Sequence, residues 1–290
     1  MQPPTFEDIV AARSFIQPYL PKTPLVRSEK LSQQLGCEFY VKLENLQPVG
    51  AFKVRGGVNL VGTLDQQKVT LVAASTGNHG QSIAFAGRLF NKRVIIYAPA
   101  ENVNEMKMQA MRNLGAEVRL HGRDFDEARL ETERVAAAEG FRYIHSANEP
   151  KLIAGVGTMG LEIFEDLPNV DVIIAPAGGG SCASGNCIVA KHLNPETRVI
   201  AVQSELAPAN VARVAQPQSR SVSDDEDRTR RPRHSHAVRT HEPDSVVTAR
   251  RFHSRERRRD QRGRSHTRAT DETDRRRIRR STVGGGVEKA

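Results

Sequence analysis

Tryptophan is absent from the 290 residues, and the chain carries only four tyrosines and three cysteines. The cysteines, Cys37, Cys182 and Cys187, are odd in number and form no Cys-x-x-Cys pair. That excludes a disulfide framework and a zinc knuckle, and it points to a reducing compartment, the cytoplasm. No apolar run approaches the ~18–20 residues that a bilayer-spanning helix needs. The opening (Met1-Gln2-Pro3-Pro4-Thr5-Phe6-Glu7-Asp8) has neither the basic start nor the apolar stretch of a secretory signal. An even spread of charge is missing too. The formal net charge is +9, yet residues 211–290 alone hold 22 Lys+Arg and 12 Asp+Glu. The remaining 210 residues carry 21 basic and 22 acidic side chains, so a uniformly basic nucleic-acid-binding fold is excluded.

Within those near-neutral residues, short β-rich runs alternate with longer amphipathic ones. Apolar residues at helical spacing (Phe6, Ile9, Val10, Phe15, Ile16) predict a first helix closed by Pro18 and Pro21. Strands are expected at Phe39–Leu43, Val69–Ala74, Arg93–Tyr97, Glu117–Leu120, Val170–Ala175 and Thr197–Val202, and helices beginning near Phe52, Gly80, Glu105, Asp124, Thr158 and Ser184. Strands that are apolar throughout, such as Val172-Ile173-Ile174-Ala175, and are separated by helices imply parallel sheets covered on both faces. The chain reads as an α/β protein.

Three segments carry candidate chemistry. In Asn45-Leu46-Gln47-Pro48-Val49-Gly50-Ala51-Phe52-Lys53-Val54-Arg55-Gly56-Gly57, a Pro/Gly turn delivers Lys53 to the start of an apolar helix. The positive end of a helix dipole disfavours an ammonium, and a neutral amine is what a Schiff base needs. The plain alternative is a solvated surface lysine. In Ser75-Thr76-Gly77-Asn78-His79-Gly80, hydroxyls, an amide and free helix N–H groups form a receptor for a small anion such as a carboxylate, or simply an N-cap with a polar turn. In Gly178-Gly179-Gly180-Ser181-Cys182, a buried strand runs through three glycines into a helix, which lets backbone N–H groups surround a phosphate. No Gly-Lys-Ser/Thr follows, so it is not a nucleotide P-loop. Gly155-Val156-Gly157-Thr158-Met159-Gly160 spells a dinucleotide fingerprint, but no convincing strand precedes it and Pro150 argues against one. It reads instead as close helix packing or a substrate-lining loop.

Together and in this order, the three segments resemble the tryptophan-synthase-β-like family of pyridoxal-phosphate enzymes, in its threonine/serine dehydratase and serine racemase branch. The resemblance covers about residues 5–209. It implies two parallel-sheet, three-layer α/β domains: a large cofactor domain from residues 1–69 and 148–210, and a small domain from residues 70–147. Carried over by position, Lys53 would hold pyridoxal 5'-phosphate through a Schiff base, with Phe52 against its ring and Asn78 on its ring hydroxyl. Gly178, Gly179, Gly180, Ser181 and Cys182 would hold the phosphate, while Ser75, Thr76 and His79 bracket a substrate carboxylate. The implied reaction is β-elimination of water from a β-hydroxy amino acid, giving a 2-oxoacid and ammonia as in isoleucine biosynthesis. A serine racemase-like or 3-hydroxyaspartate dehydratase-like relative, or an inactive truncated product, is the alternative. Racemases place a serine where Thr76 stands, and its methyl favours elimination. Metal-activated members place a glutamate after the strand Thr197–Val202, where this chain has Gln203 and then Glu205, so no metal is expected. A homodimer is implied by the family alone.

Residues 211–290 contain no Leu, Met, Tyr or Trp, one Phe and one Ile, and are expected to be disordered. Their 21 arginines against one lysine have a further reading. Arginine codons of the CGN type, read one nucleotide later, encode Val, Ala, Asp, Glu or Gly, so the segment reads as a frameshifted translation. The family's turn facing the pyridine nitrogen has no match there. An Arg-rich nucleic-acid-binding tail is disfavoured by Asp224-Asp225-Glu226-Asp227 and by the lack of stacking aromatics.

Overall fold

The computed structural model describes residues 2–65, 68–101 and 103–204, together with the backbone of Val246–Thr248. All of these fall in the first of two compact units, residues 1–250. What the sequence predicts for residues 211–290, the frameshift included, otherwise lies outside the described residues, as does Glu205.

Helix α1 (Phe6–Ile16) opens on a capping box in which Thr5 and Asp8 bond reciprocally, and it buries Ile9, Ala12 and Ile16. An antiparallel pair, β1 (Leu25–Arg27) and β2 (Tyr40–Lys42), brackets α2 (Glu29–Leu35). β1 and α2 were not foreseen, being too short to show a period. Helix α3 (Lys53–Gly62) follows a turn at Gly50.

A four-stranded parallel sheet in the order β5-β4-β3-β6 comes next, built from β3 (Leu71–Ala74), β4 (Val94–Ala98), β5 (Glu117–Leu120) and β6 (Arg142–Tyr143). Alternating residues divide its faces. Leu71, Ala73 and Ile96 join Ile83 of α4 (Asn78–Leu89) and Met108 and Met111 of α5 (Glu105–Asn113) in the main core. Val72, Ile95 and Tyr97 pack instead on Val135 and Ala136 of α6 (Phe125–Glu139). This is the expected three-layer arrangement.

The rest of the core lies around α7 (Pro150–Asp166) and α8 (Ser181–Leu193), with β7 (Val172–Pro176) and β8 (Arg198–Val202) paired in parallel. Val246–Thr248 adds a third parallel strand, β9, so three residues of the tail expected to lack structure have a defined place. Ile173, Ala175 and Val199 face the core, whereas Ile174 on the other face is 56% exposed.

Helix α7 corrects the expectation of a start near Thr158. Pro150 is its first residue, a position where the missing N–H costs nothing. The Gly-x-Gly-x-x-Gly run therefore lies inside a helix and serves close packing. A Cβ on Gly157 would come within 2.7 Å of Ile9 on α1, and one on Gly185 of α8 within 2.8 Å of the Gly157 backbone. A Cβ on Gly155 would overlap the Arg55 carbonyl of α3. Bulk at such contacts costs about 1–3 kcal/mol.

Between α3 and α7 lies a buried ionic network. The Arg55 guanidinium is 1% exposed and donates to Glu44 at 2.7 and 2.8 Å and to Glu162 at 2.8 and 2.9 Å. Glu162 also pairs with Lys42 at 2.7 Å and with Arg13. Burial alone would raise the Glu162 carboxyl, but the hydrogen bonds and charge of Arg55, then those of Lys42, hold it below the usual range. Breaking one partner of such a network costs about 3–5 kcal/mol, because a buried charge is left uncompensated.

Candidate active site

Lys53 is the first residue of α3, and no side chain caps that helix end. Its amine donates to the Ser146 carbonyl at 3.0 Å and to the Ser181 hydroxyl at 2.8 Å. The amine stands 5.7 Å from the Phe52 ring centroid. It is not a solvated surface lysine. Burial pushes its pKa from 10.5 down to about 8, opposed by the Cys182 thiol, so a large fraction is neutral and nucleophilic at mildly alkaline pH.

The second anchor is the turn from β7 into α8. Gly180 has φ +96°, a left-handed conformation that favours glycine, and it begins α8 without a side-chain cap. The N–H groups at the start of α8 therefore remain available to an anion, and the helix dipole favours one there. Gly179 lies against the 146–147 turn, where a Cβ would come within 2.7 Å of the Ala147 methyl. Cys182 turns its side chain into the core, and burial pushes the thiol up to about 12. It can contribute its backbone N–H to the turn, and its thiol is not a nucleophile.

The turn from β3 into α4 is held near Lys53 by Ser82, whose hydroxyl donates to the Lys53 carbonyl at 2.7 Å. Here Ser75 is already engaged. Its Oγ accepts from Gly77 N–H at 3.1 Å and Gly80 N–H at 2.8 Å, so its hydroxyl serves the polar turn, while Gly77 holds the N-cap position. Thr76 and Asn78 are exposed at the mouth of the turn. His79 is buried beside the lysine. Burial and then the Lys53 charge push its pKa from 6.5 down to about 3, partly offset by the Ile144 carbonyl, so the ring is neutral.

Pattern reading missed one contributor and the exact partner of another. Ser146 supplies a carbonyl to Lys53 from an irregular turn, pinned where His145 Nδ1 accepts from the Ala147 and Asn148 N–H groups at 3.0 and 2.8 Å. The Ser181 hydroxyl bonds the lysine directly. The strand–glycine–helix signal named Ser181 as a phosphate-turn residue but not its bond to the lysine, and no periodicity marks Ser146. Among the described residues, no cluster of His, Cys, Asp or Glu gathers that could hold a metal, and no helix is long and apolar enough to cross a membrane.

Set against known proteins, residues 16–260 match the family described as "Pyridoxal-phosphate dependent enzyme". The chain belongs to that family. The match runs past residue 209, where the sequence resemblance ends. The chain is 42% identical over 214 residues to the L-threonine ammonia-lyase of Thermotoga maritima, covering 72% of this chain and 52% of that one. Its fold resembles the processed form of threonine deaminase isoform 2 from Solanum lycopersicum (TM-score 0.66, 32% identity, 72% of this chain and 60% of that one). It also resembles maize serine racemase (TM-score 0.70, 30% identity, 74% and 65%). The chain spans about half the length of the curated relatives it matches.

The residues present fit the family's cofactor. A phosphate needs free N–H groups at a helix start, and the left-handed Gly180 presents them without a competing cap. An aldehyde needs a half-buried amine of lowered pKa, and Lys53 supplies it 2.8 Å from the first side chain of that helix.

Proposed function

We propose that the chain is a pyridoxal-phosphate-dependent ammonia-lyase acting on L-threonine or L-serine, eliminating water to yield a 2-oxoacid and ammonia. The observation that carries this reading is the Lys53 amine, desolvated and held at the uncapped start of α8. The kinship with a threonine ammonia-lyase supports the choice of substrate. In this reading Lys53 holds the cofactor covalently, Phe52 flanks its ring, and Asn78 faces it from the mouth of the β3–α4 turn. Gly178, Gly179, Gly180, Ser181 and Cys182 hold the phosphate. Bound there, pyridoxal phosphate supplies an electron sink for the electrons released at the substrate Cα.

The chain's own residues do the remainder. Thr76 and neutral His79, set in the turn that Ser75 shapes through its backbone bonds, receive the substrate carboxylate. Once the substrate amine has displaced it, the freed Lys53 amine would take the Cα proton, since its lowered pKa leaves a large neutral fraction near pH 8. The Ser146 carbonyl and the Ser181 oxygen then accept from the resulting ammonium and hold the proton at Nζ. We further assign residues 1–69 with 148–210 to a cofactor domain and residues 70–147 to a small domain, in a cytoplasmic homodimer of isoleucine-forming metabolism. The low cysteine content supports the compartment.

Release of ammonia and 2-oxoacid from L-threonine, L-serine and 3-hydroxyaspartate tests the reaction, with D-serine measured alongside. Lys53→Ala is expected to lower 2-oxobutanoate release by roughly three orders of magnitude or more. D-serine formation without 2-oxoacid would favour a racemase, and turnover surviving in Lys53→Ala would refute the reading.

A further inference from the structure

The first turn of α3 has no side-chain cap; Ser82 holds its Lys53 carbonyl, and Gly56 and Gly57 lie close against Leu152 and Ser82. Arg55 is the charged anchor of that turn. At 100° per residue it lies on the opposite side of the helix from Lys53, two positions earlier. Its planar fork spans the 3₁₀ turn at Glu44–Leu46 on one side and α7 on the other, donating bidentately to Glu44 and to Glu162 and reaching Thr158 at 3.2 Å. A fork held on both sides fixes rotation as well as distance, which an apolar side chain of equal volume would not do. Behind the clamp, Gly155 of α7 lies directly on the Arg55 carbonyl, so the backbone is fixed as well.

We propose that Arg55 is a positioning residue for Lys53: clamped between Glu44 and Glu162, it sets the first turn of α3 so that the lysine amine stays between the Ser146 carbonyl and the Ser181 hydroxyl, shielded from water. This rests on the reading of Lys53 as the reactive amine. The titratable groups that act on that amine or its immediate neighbours are Cys182 on α8, His79 on α4 and His145 ahead of Ser146, and Glu44 acts on Cys182 from the clamp.

The test is trace acetylation of the full chain with acetic anhydride across a pH series, read by mass spectrometry at Lys53, with exposed Lys30 on α2 as internal reference. Wild-type Lys53 should show a half-point near pH 8. In Arg55→Lys, which keeps the charge and loses the fork, the half-point moves upward by about one unit or more, a tenfold or greater loss of neutral amine at pH 8. Should Arg55→Lys fail to fold, Glu44→Gln removes one side of the clamp and is expected to move the half-point in the same direction. Gly62→Ala is the control for general loosening, since its Cβ would come within 2.5 Å of Phe15 and Phe90 at the far end of α3. It should lower the melting temperature and leave the half-point in place. A folded clamp variant with an unmoved half-point overturns the proposal, as does a Gly62→Ala shift equal to that of the clamp variants. Protection of wild-type Lys53 by pyridoxal phosphate is read separately. Its absence would refute the cofactor reading and leave the positioning result standing.

Discussion

Two turns of the same kind, strand into helix, meet near Lys53, and they solve the problem of free N–H groups in opposite ways. Between β3 and α4, Ser75 folds its hydroxyl back onto the Gly77 and Gly80 N–H groups. Between β7 and α8, no side chain caps the helix, glycines line the turn, and the Ser181 hydroxyl at the helix start bonds the lysine amine. One turn is largely satisfied from within; the other is left open to an anion. A similar strand–turn–helix outline can therefore serve as a shaped wall or as a receptor, depending on whether a short hydroxyl side chain stands three residues before the helix or a glycine does.

The comparison can be broken most forcefully at the open turn. Gly179→Val places bulk against the Ala147 methyl and across the free N–H groups. It should weaken pyridoxal phosphate binding about 10–100-fold in an absorbance titration. Ser75→Ala should act on the other quantity. Urea unfolding is expected to show a loss of about 1 kcal/mol, as for other lost caps. Cofactor affinity should change less than about threefold. If Ser75→Ala weakened cofactor binding as much as Gly179→Val does, the two turns would not differ in the way described.

A smaller effect concerns His79 in the satisfied turn. Its pKa is depressed in the folded chain, from 6.5 to about 3, so the unfolded chain binds the extra proton first as pH falls. The sign follows: stability contributed by neutral His79 is full above pH 6.5 and is lost progressively as pH drops toward 3. Buried carboxylates such as Glu162, held below 4.5, act lower on the scale. The melting temperature should thus decline already between pH 6.5 and 4.5, and His79→Gln should flatten that part of the curve. An equal slope in both proteins would mean that His79 is not buried neutral.

Much of the fold was legible because β3, β4 and β5 are compact apolar or alternating runs bounded by turn residues, and α5 begins at Glu105 as its spacing predicts. The start of α7 was not, since Pro150 reads equally as a break and as a first helical residue; only the following apolar period to Phe164 decides. β1 and β6, at three and two residues, carry no period at all. At the site, Lys53 and the glycine turn were visible through local composition. Ser146 was not, because its contribution is a backbone carbonyl that any residue could supply. The Arg55 clamp left one trace in sequence, the lone Glu162 inside the apolar run from Leu152 to Phe164, and its meaning depends on which helix it meets.

The most direct measurement is borohydride trapping of pyridoxal phosphate on the full chain, followed by peptide mapping. The account predicts a single reduced pyridoxyl adduct on Lys53, formed at stoichiometric cofactor near pH 8 and lost in Gly179→Val. An adduct spread over exposed lysines such as Lys30 and Lys107, with Lys53 unmodified, would contradict it.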